Sequence, residues 1–570
     1  MSEYVNNPNN HNFMDIENQV FFYFDSDDFS DKINAFCDEL RIHNIGGANN
    51  SIETVDYLSP LKRIMRSITP PYTVILEHYY VDKSYRDSYY RYFSSGHFNA
   101  ERSSRRLSFF QGEVSEEKFL NFKMPCVSIQ DAQKEEFENK EKLIYYGSIV
   151  INPVMTGAIG RTILDPRCLN LQKKGSNSVY MRLSKFKTHI YGRSLKVSAF
   201  PYRMQDGETV SCAEVTFLNL LDYYSNHYPD YKSALPGEIL DEEMRHSHER
   251  VLPSKGMSYA VMSKLMSSFG FSPRLYSRFS VDSFSGSLIS PEIKLKRWMY
   301  YYIESGIPVA VELGTDRPKG SGHSVICIGH GGIDNNTLRE KIRYAHKIGH
   351  KTDNNRVFLN SADFYDSYVI VDDNIPVYNI KDYTELSQYK DLKVASLAVP
   401  LNRRMCLDAP DAEDTVLTIL NDSRLGLDRW IKKGYLKKNE AIIMRLYLAS
   451  SHSFKGYRIR TFKNEDLKAL YAYTPMPRFV WVCELYKFDE YFDLAGGKIK
   501  DTVKAFGEIV LDTTAVPTKE YSPKAIVLAH YPGYLLTLFP EDTYTGFNEM
   551  FEIDNDEPFP GFKNNLAEIT

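Results

Sequence analysis

The 570-residue chain has little cysteine: seven residues, at 37, 126, 168, 212, 327, 406 and 483. They are scattered and odd in number, and no two stand at metal-ligand spacing. That excludes a disulfide framework and a cysteine-held zinc site, and it fits a reduced, cytoplasmic setting. The chain also lacks an excess of either charge. Its net charge of −5 removes the basic surplus that general nucleic-acid binding needs. No apolar run reaches the length of a membrane span. The first twelve residues are polar and Asn-rich, without the apolar core of a signal segment. No phosphate-loop pattern is present. Gly157-Ala158-Ile159-Gly160-Arg161-Thr162 is Gly-rich, but no Gly-Lys-Ser/Thr follows it. It reads as a tight turn between strands with Arg161 at the surface. Neither a cofactor nor a metal is implied anywhere.

What is present is an ordinary globular balance, 43% hydrophobic and 25% charged, over a length that holds two or three domains. Residues 1–17 read as a flexible tail. Residues 18–200 alternate strands with helices and form an N-terminal α/β domain. Its clearest elements are strands at Val20–Phe24, Tyr72–Glu77 and Leu143–Ile151, with a Tyr-rich helix at Asp82–Phe93. Two strand-like runs over 178–200 lead into the next region. Residues 381–552 read as a β-rich domain with helical additions at Thr415–Leu420 and Glu440–Leu448. Its strands are Arg478–Leu485, Phe506–Leu511 and Ala525–His530. Asp512 and His530 stand at strand ends there and read as structural. Residues 553–570 are acidic and contain proline, which predicts a loosely packed tail.

The chemistry concentrates in 201–380. Ser211 and Glu214 have the Ser-x-x-Glu spacing of a capping box, with Ser211 as N-cap. Ala213, Phe217, Leu218, Leu221 and Tyr224 continue at helical spacing. Cys212 is then the first helical residue. There, unpaired backbone N–H groups and the positive end of the helix dipole favour a thiolate, the nucleophilic form. A base is offered by His323, set among small residues in Gly320-Ser321-Gly322-His323-Ser324 and leading into an apolar strand. Tyr302–Leu313 reads as helix end, Gly stop, then a strand that pairs with it as a hairpin. Gly256–Ser268 and Pro291–Ser305 read as helices. Cys327 lies inside the apolar strand and reads as packing. His330 ends the same run, about 20 Å from His323 by strand rise, so only one of the two can serve Cys212. The strand Tyr368–Val371 ends in Asp372, Asp373 and Asn374. By alternation Asp372 and Asn374 share a face and Asp373 takes the other.

The order Gln–Cys-helix, Gly-His-strand, strand-Asp resembles papain-like cysteine peptidases. It is closest in style to the bacterial branch that includes bacteriocin-leader-processing peptidases. The resemblance covers about residues 200–380. It implies an α+β fold with a papain-like core, in which the Cys stands at a helix N-terminus packed on an antiparallel sheet. An N-terminal α/β region and a C-terminal β-rich region flank that core. It further implies that Cys212 attacks, His323 is the base, Asp372 orients the base, and Gln205 helps form the oxyanion hole, with Asp373 and Asn374 as alternative orienters. Gln205 lies seven residues before Cys212 (212 − 205), one more than the papain-type spacing. Asp372 lies 49 residues after His323 (372 − 323), which makes residues 333–362 an insertion.

The implied activity is hydrolysis of a peptide or isopeptide bond by a thiol peptidase, restrained or targeted by its flanking domains as in a defence or toxin effector. The partners implied are a protein or peptide substrate and a regulatory protein. The same constellation serves amidase and transglutaminase chemistry. A silent peptidase fold used for binding or assembly is the reading from another class, favoured by flanks of nearly 200 residues on each side.

Overall fold

A computed structural model of the chain describes residues 19–40, 58–96, 100–154, 156–171, 178–246, 251–254, 256–280, 289–315, 322–351, 356–423, 425–431, 434–437, 440–493, 498–500, 502–516, 525–537, 549–554 and 556–569. The expected tail at 1–17 lies outside them. The architecture is mixed α+β, in two compact units. The first comprises Met1–Leu171, Leu183–Ser258 and Val371–Asn379. The second comprises Gln172–Arg182, Tyr259–Ile370 and Ile380–Thr570. The stretch 201–380, expected as one domain, is thus divided between them. No helix among the described residues is long and apolar enough to cross a membrane.

The first unit is built on a six-stranded sheet in which Tyr72–Tyr80, Ser104–Gln111 and Leu143–Ile151 are the central antiparallel strands. Both faces are covered, so these strands are buried along most of their length. On one face, Phe22, Phe24, Tyr72 and Val74 fall in register, and Phe29 and Phe36 of the helix Phe29–Glu39 pack on them. On the other face, Ile75, Phe110, Tyr145 and Ile163 meet Phe186, Leu195 and Val197 of the hairpin Ser184–Ile190/Arg193–Ala199. Gly147 is fixed by crowding, since a Cβ there would lie 1.9 Å from the Ile163 carbonyl oxygen. The helix Cys212–His227 packs on this hairpin. Asn226 Nδ2 ties the two together by donating to Ser184 Oγ at 2.6 Å and to the Lys185 carbonyl at 2.9 Å.

The second unit holds two sheets. One orders Arg274–Ser277, Lys393–Val399, Val309–Gly314, His323–Gly331 and Ser367–Asp372 side by side; the last strand leaves this unit at Val371. Val309–Gly314 and His323–Gly331 pair antiparallel, with His323 opposite Leu313, as the hairpin reading predicts. The other sheet runs from His350–Lys351 through Val357–Asn360, Ile442–Ser450, Phe479–Lys487, Gly507–Asp512, Ile526–Tyr531 and Tyr534–Thr537 to Glu549–Glu552. The helix Pro291–Glu304 shares one core with both sheets through Leu295, Met299, Tyr302 and Ile303.

Two sequence expectations fail here. The helix expected at 440–448 is the strand Ile442–Ser450, in which only Arg445 and Ser450 are not fully buried. A continuous apolar run suits a buried helix or a buried strand. Pairing on both edges, parallel to Val357–Asn360 and antiparallel to Phe479–Lys487, decides for the strand. The acidic segment 553–570 is not a loose tail. Phe559 and Phe562 are buried, Phe562 N–H donates to Glu484 Oε1 at 2.7 Å, and Ala567–Ile569 pairs with Val179–Met181.

This second sheet buries a file of charge across four strands. Arg445 stands opposite Glu484, Glu484 opposite Glu508, and Glu508 opposite His530. Two like charges directly opposite would repel. Arg458, from the helix Ser451–Thr461, is fully buried over both glutamates. Its Nη2 donates to Glu484 and to Glu508 at 2.6 Å, and its Nε donates to Glu508 at 3.0 Å.

Candidate active site

The helix that carries Cys212 begins where the capping box predicts. Ser211 N–H donates to Glu214 Oε2 at 3.1 Å, and the Ser211 hydroxyl donates to the same carboxylate. Glu214 Oε1 also accepts from the Ser254 hydroxyl at 2.7 Å. Every residue from Ala213 to Tyr224 is buried, whereas Cys212 is only half-buried. Farther along, Arg161 grips Asp222 in a bidentate pair at 2.7 and 2.9 Å, and Arg203 adds a bond at 2.8 Å. Burial alone would raise the Asp222 pKa. The two guanidiniums outweigh it and hold the carboxyl below its ordinary value.

The loop before the helix is organised by Asp206. Its Oδ1 accepts from the N–H groups of Glu208, Thr209 and Val210 at 2.9, 2.7 and 3.0 Å. Gly207 completes the turn at φ 72°. Behind it stands the Gly-rich segment. Residues Ile159–Leu164 are a strand rather than a loop, and Arg161, only partly exposed, serves Asp222. Gly157, at φ +64°, lies against Gln205; a Cβ there would come within 2.0 Å of the Gln205 carbonyl oxygen. Gln205 Nε2 donates to Asn374 Oδ1 at 3.2 Å. Asn374 N–H in turn donates to Asp372 Oδ1 at 3.0 Å. Asp372 and Asp373 are buried, and Asp373 offers its carbonyl to the Tyr202 hydroxyl at 3.4 Å. Burial, followed by these two carboxylates, drives the Tyr202 phenol well above its ordinary pKa.

The first unit therefore gathers Gln205, Asp372, Asp373 and Asn374, and it also contains Cys212. His323 belongs to the second unit. It is the first residue of its strand, buried, with its ring edge-on to Tyr389 at 5.4 Å between centroids. His330, the rival base, is committed to the structure of the second unit. Its Nδ1 meets the Gly331 carbonyl at 2.8 Å, its Nε2 meets Glu304 Oε1 at 3.0 Å, and Tyr180, Tyr300 and Tyr365 pack around the ring. Cys327 is buried, and burial raises its thiol pKa strongly, in keeping with a packing role. Burial likewise raises Cys168 and Cys483, and it pushes Cys126 up to about 12. His530 is also structural: Nε2 meets Asp556 Oδ2 at 2.9 Å and Nδ1 meets the Tyr471 hydroxyl at 3.2 Å. A cavity of about 780 Å³ in the second unit is lined by Lys296, Lys341, Asp366 and Asp382 and by none of the expected site residues.

Sequence reading missed three supports of this region: the Asp206 turn, the Arg161–Asp222–Arg203 clamp and the Ser254–Glu214 bond. The Asp-Gly pair at 206–207 was a visible turn signal. The other two join segments 19 to 61 residues apart and leave no local trace. Neither the protein-family models nor the curated proteins contain a match to this chain.

Proposed function

We propose that the protein is a cysteine peptidase-like hydrolase with Cys212 as nucleophile, His323 as base, Asp372 as orienter and Gln205 in the oxyanion hole, built on a papain-like core. One observation carries the reading most. Cys212 is left half-open at the start of a helix that is otherwise buried through Tyr224. Cys168 and Cys327, by contrast, are fully buried. In the proposed reaction His323 takes the thiol proton. Sγ then forms a bond to the scissile carbonyl carbon, and the C–N bond breaks as the imidazolium returns the proton to the leaving amine. Water, deprotonated by the same imidazole, releases the acyl group and restores the thiol. The backbone N–H of Cys212 and the Gln205 amide stabilise the oxyanion.

The test is selective alkylation. Iodoacetamide should label Cys212 before Cys406, one of the two other half-buried cysteines, and Cys212→Ala should abolish cleavage of fluorescently labelled casein. Labelling of Cys212 without any turnover would favour the silent peptidase fold. Equal labelling of the two cysteines would sink the nucleophile assignment.

A further inference from the structure

We infer that Asp373 and Asn374 form a polarity relay that fixes which end of the Gln205 amide faces the substrate, making Asn374 a positioning residue for Gln205. The inference rests on the peptidase reading above. It gives residues 373 and 374 a task different from holding the imidazole.

A primary amide has two ends of nearly equal shape and opposite hydrogen-bonding character. Left alone, Gln205 presents either end. The neighbouring groups remove that freedom. Asn374 Nδ2 donates to Asp373 Oδ1 at 3.4 Å. A carboxylate only accepts, so the end of Asn374 that faces Asp373 must be its NH₂. The opposite end is then the carbonyl, which also only accepts. Gln205 must therefore turn its own NH₂ toward Asn374, as the 3.2 Å bond from Nε2 to Oδ1 records. That bond uses one of the two Nε2–H groups. The second remains as a donor for a developing oxyanion. Flipped, Gln205 would set its carbonyl oxygen against the same negative charge.

Rigid surroundings make the relay useful. The Gln205 main chain is pinned by Gly157, which leaves no room for a Cβ. Met204 N–H donates to the Ile159 carbonyl at 3.0 Å, and Thr156 Oγ1 donates to the Asp206 carbonyl at 2.7 Å. At the other end, the Asn374 main chain is tied to Asp372. Both acids are buried, so water does not compete with the hydrogen bonds of the relay.

The experiment is a double-mutant cycle on casein cleavage. Asn374→Ala should lower kcat roughly 100-fold with KM nearly unchanged, the loss expected of an oxyanion donor. Gln205→Ala should do the same, and the double variant should lose no more than either single one. Asn374→Asp keeps an acceptor for Gln205 Nε2, so it should recover most of kcat although its extra negative charge lowers the melting temperature. A purely structural residue would behave the opposite way. Iodoacetamide labelling of Cys212 should be unchanged in all three. Multiplying losses in the double variant, or an Asn374→Asp as inactive as the alanine, would overturn the relay. If Asn374→Ala does not fold, Asp373→Asn carries the test. It frees both amides to flip, so kcat should fall while the pH profile of kcat/KM stays in place; an unchanged kcat, or a shifted profile, overturns the inference. A wild-type protein that neither cleaves casein nor labels Cys212 selectively removes the peptidase reading, and the relay with it.

Discussion

The two units bury charge in opposite ways. The first sets one carboxylate, Asp222, between two arginines, and Arg161 keeps a third of its side chain in solvent. The second sets three carboxylates, Glu304, Glu484 and Glu508, around Arg445 and Arg458. Glu484, Glu508 and Arg458 are fully sealed. Glu304 and Glu484 are both pushed upward by burial. The guanidiniums outweigh this, helped by His330 at Glu304, and hold both below the ordinary carboxylate range. The sealed cluster locks strands, a helix and the C-terminal segment into one core. The open cluster clamps a helix whose first residue is a half-exposed thiol. Buried ion pairs alone therefore do not mark a functional site. What separates the two regions is that the clamped helix carries an uncovered reactive group at its start, ten residues (222 − 212) before Asp222.

The largest effect expected from this contrast is at Arg458. Arg458→Met removes the cation shared by Glu484 and Glu508, which face each other directly across two strands. Leaving buried charges uncompensated costs about 3–5 kcal/mol. That corresponds to a drop of roughly 5–8 °C in the melting temperature of the second unit. Arg458→Lys should rescue little, because the guanidinium reaches Glu484, Glu508 and the Pro560 carbonyl at once. Calorimetry of the three proteins checks this. A loss below about 1 kcal/mol would mean that the file of charge is dispensable.

The clamp in the first unit should break more gently. Arg203→Met leaves Asp222 its bidentate partner Arg161, so the cost should be about 1–2 kcal/mol. The more telling readout is chemical. A loosened helix should alter the rate at which iodoacetamide labels Cys212, whereas Arg458→Met should not in protein that remains folded. Equal costs for the two arginine changes, or an unmoved Cys212 rate after Arg203→Met, would erase the distinction between clamp and lock.

Much of this was legible in the chain, for definite reasons. The capping box at Ser211 and Glu214 is local, so four residues suffice to place the start of the helix. The hairpin from Val309 through Gly331 follows from two apolar runs separated by a polar stretch containing proline and glycine. The strand Ile442–Ser450 misled because an apolar run buried on both faces has no period to read. The C-terminal segment misled because its acidity hides Phe559 and Phe562, whose pockets are made by distant strands. In the candidate site, Cys212 and Gln205 were visible as residues, but the Gln205–Asn374 bond spans 169 positions. Arg161 read as a surface residue because its partner Asp222 lies 61 positions away.

The smallest expected effect concerns a carboxyl of the first unit with no paired cation among the described residues. Glu243, on the helix Pro236–His246, is buried, and its Oε2 has no hydrogen-bond partner among the described residues. Burial first, and then the charge of Glu214, push its pKa up from 4.5 to about 7. The sign follows from proton binding. Between pH 4.5 and 7 the folded chain holds this proton more tightly than the unfolded chain does, so unfolding releases it. Stability contributed here is complete below about pH 4.5, falls as pH rises through 7, and is flat above. The paired glutamates of the second unit have the reverse sign: their contribution is lost only in acid. Glu243→Gln should therefore be nearly neutral at pH 5 and stabilising at pH 8, by about 1 kcal/mol or roughly 2–4 °C. Melting curves of wild type and variant at the two pH values supply the comparison. An equal shift at both would show that Glu243 is ionised in the fold throughout, and that the first unit compensates its buried acids as fully as the second.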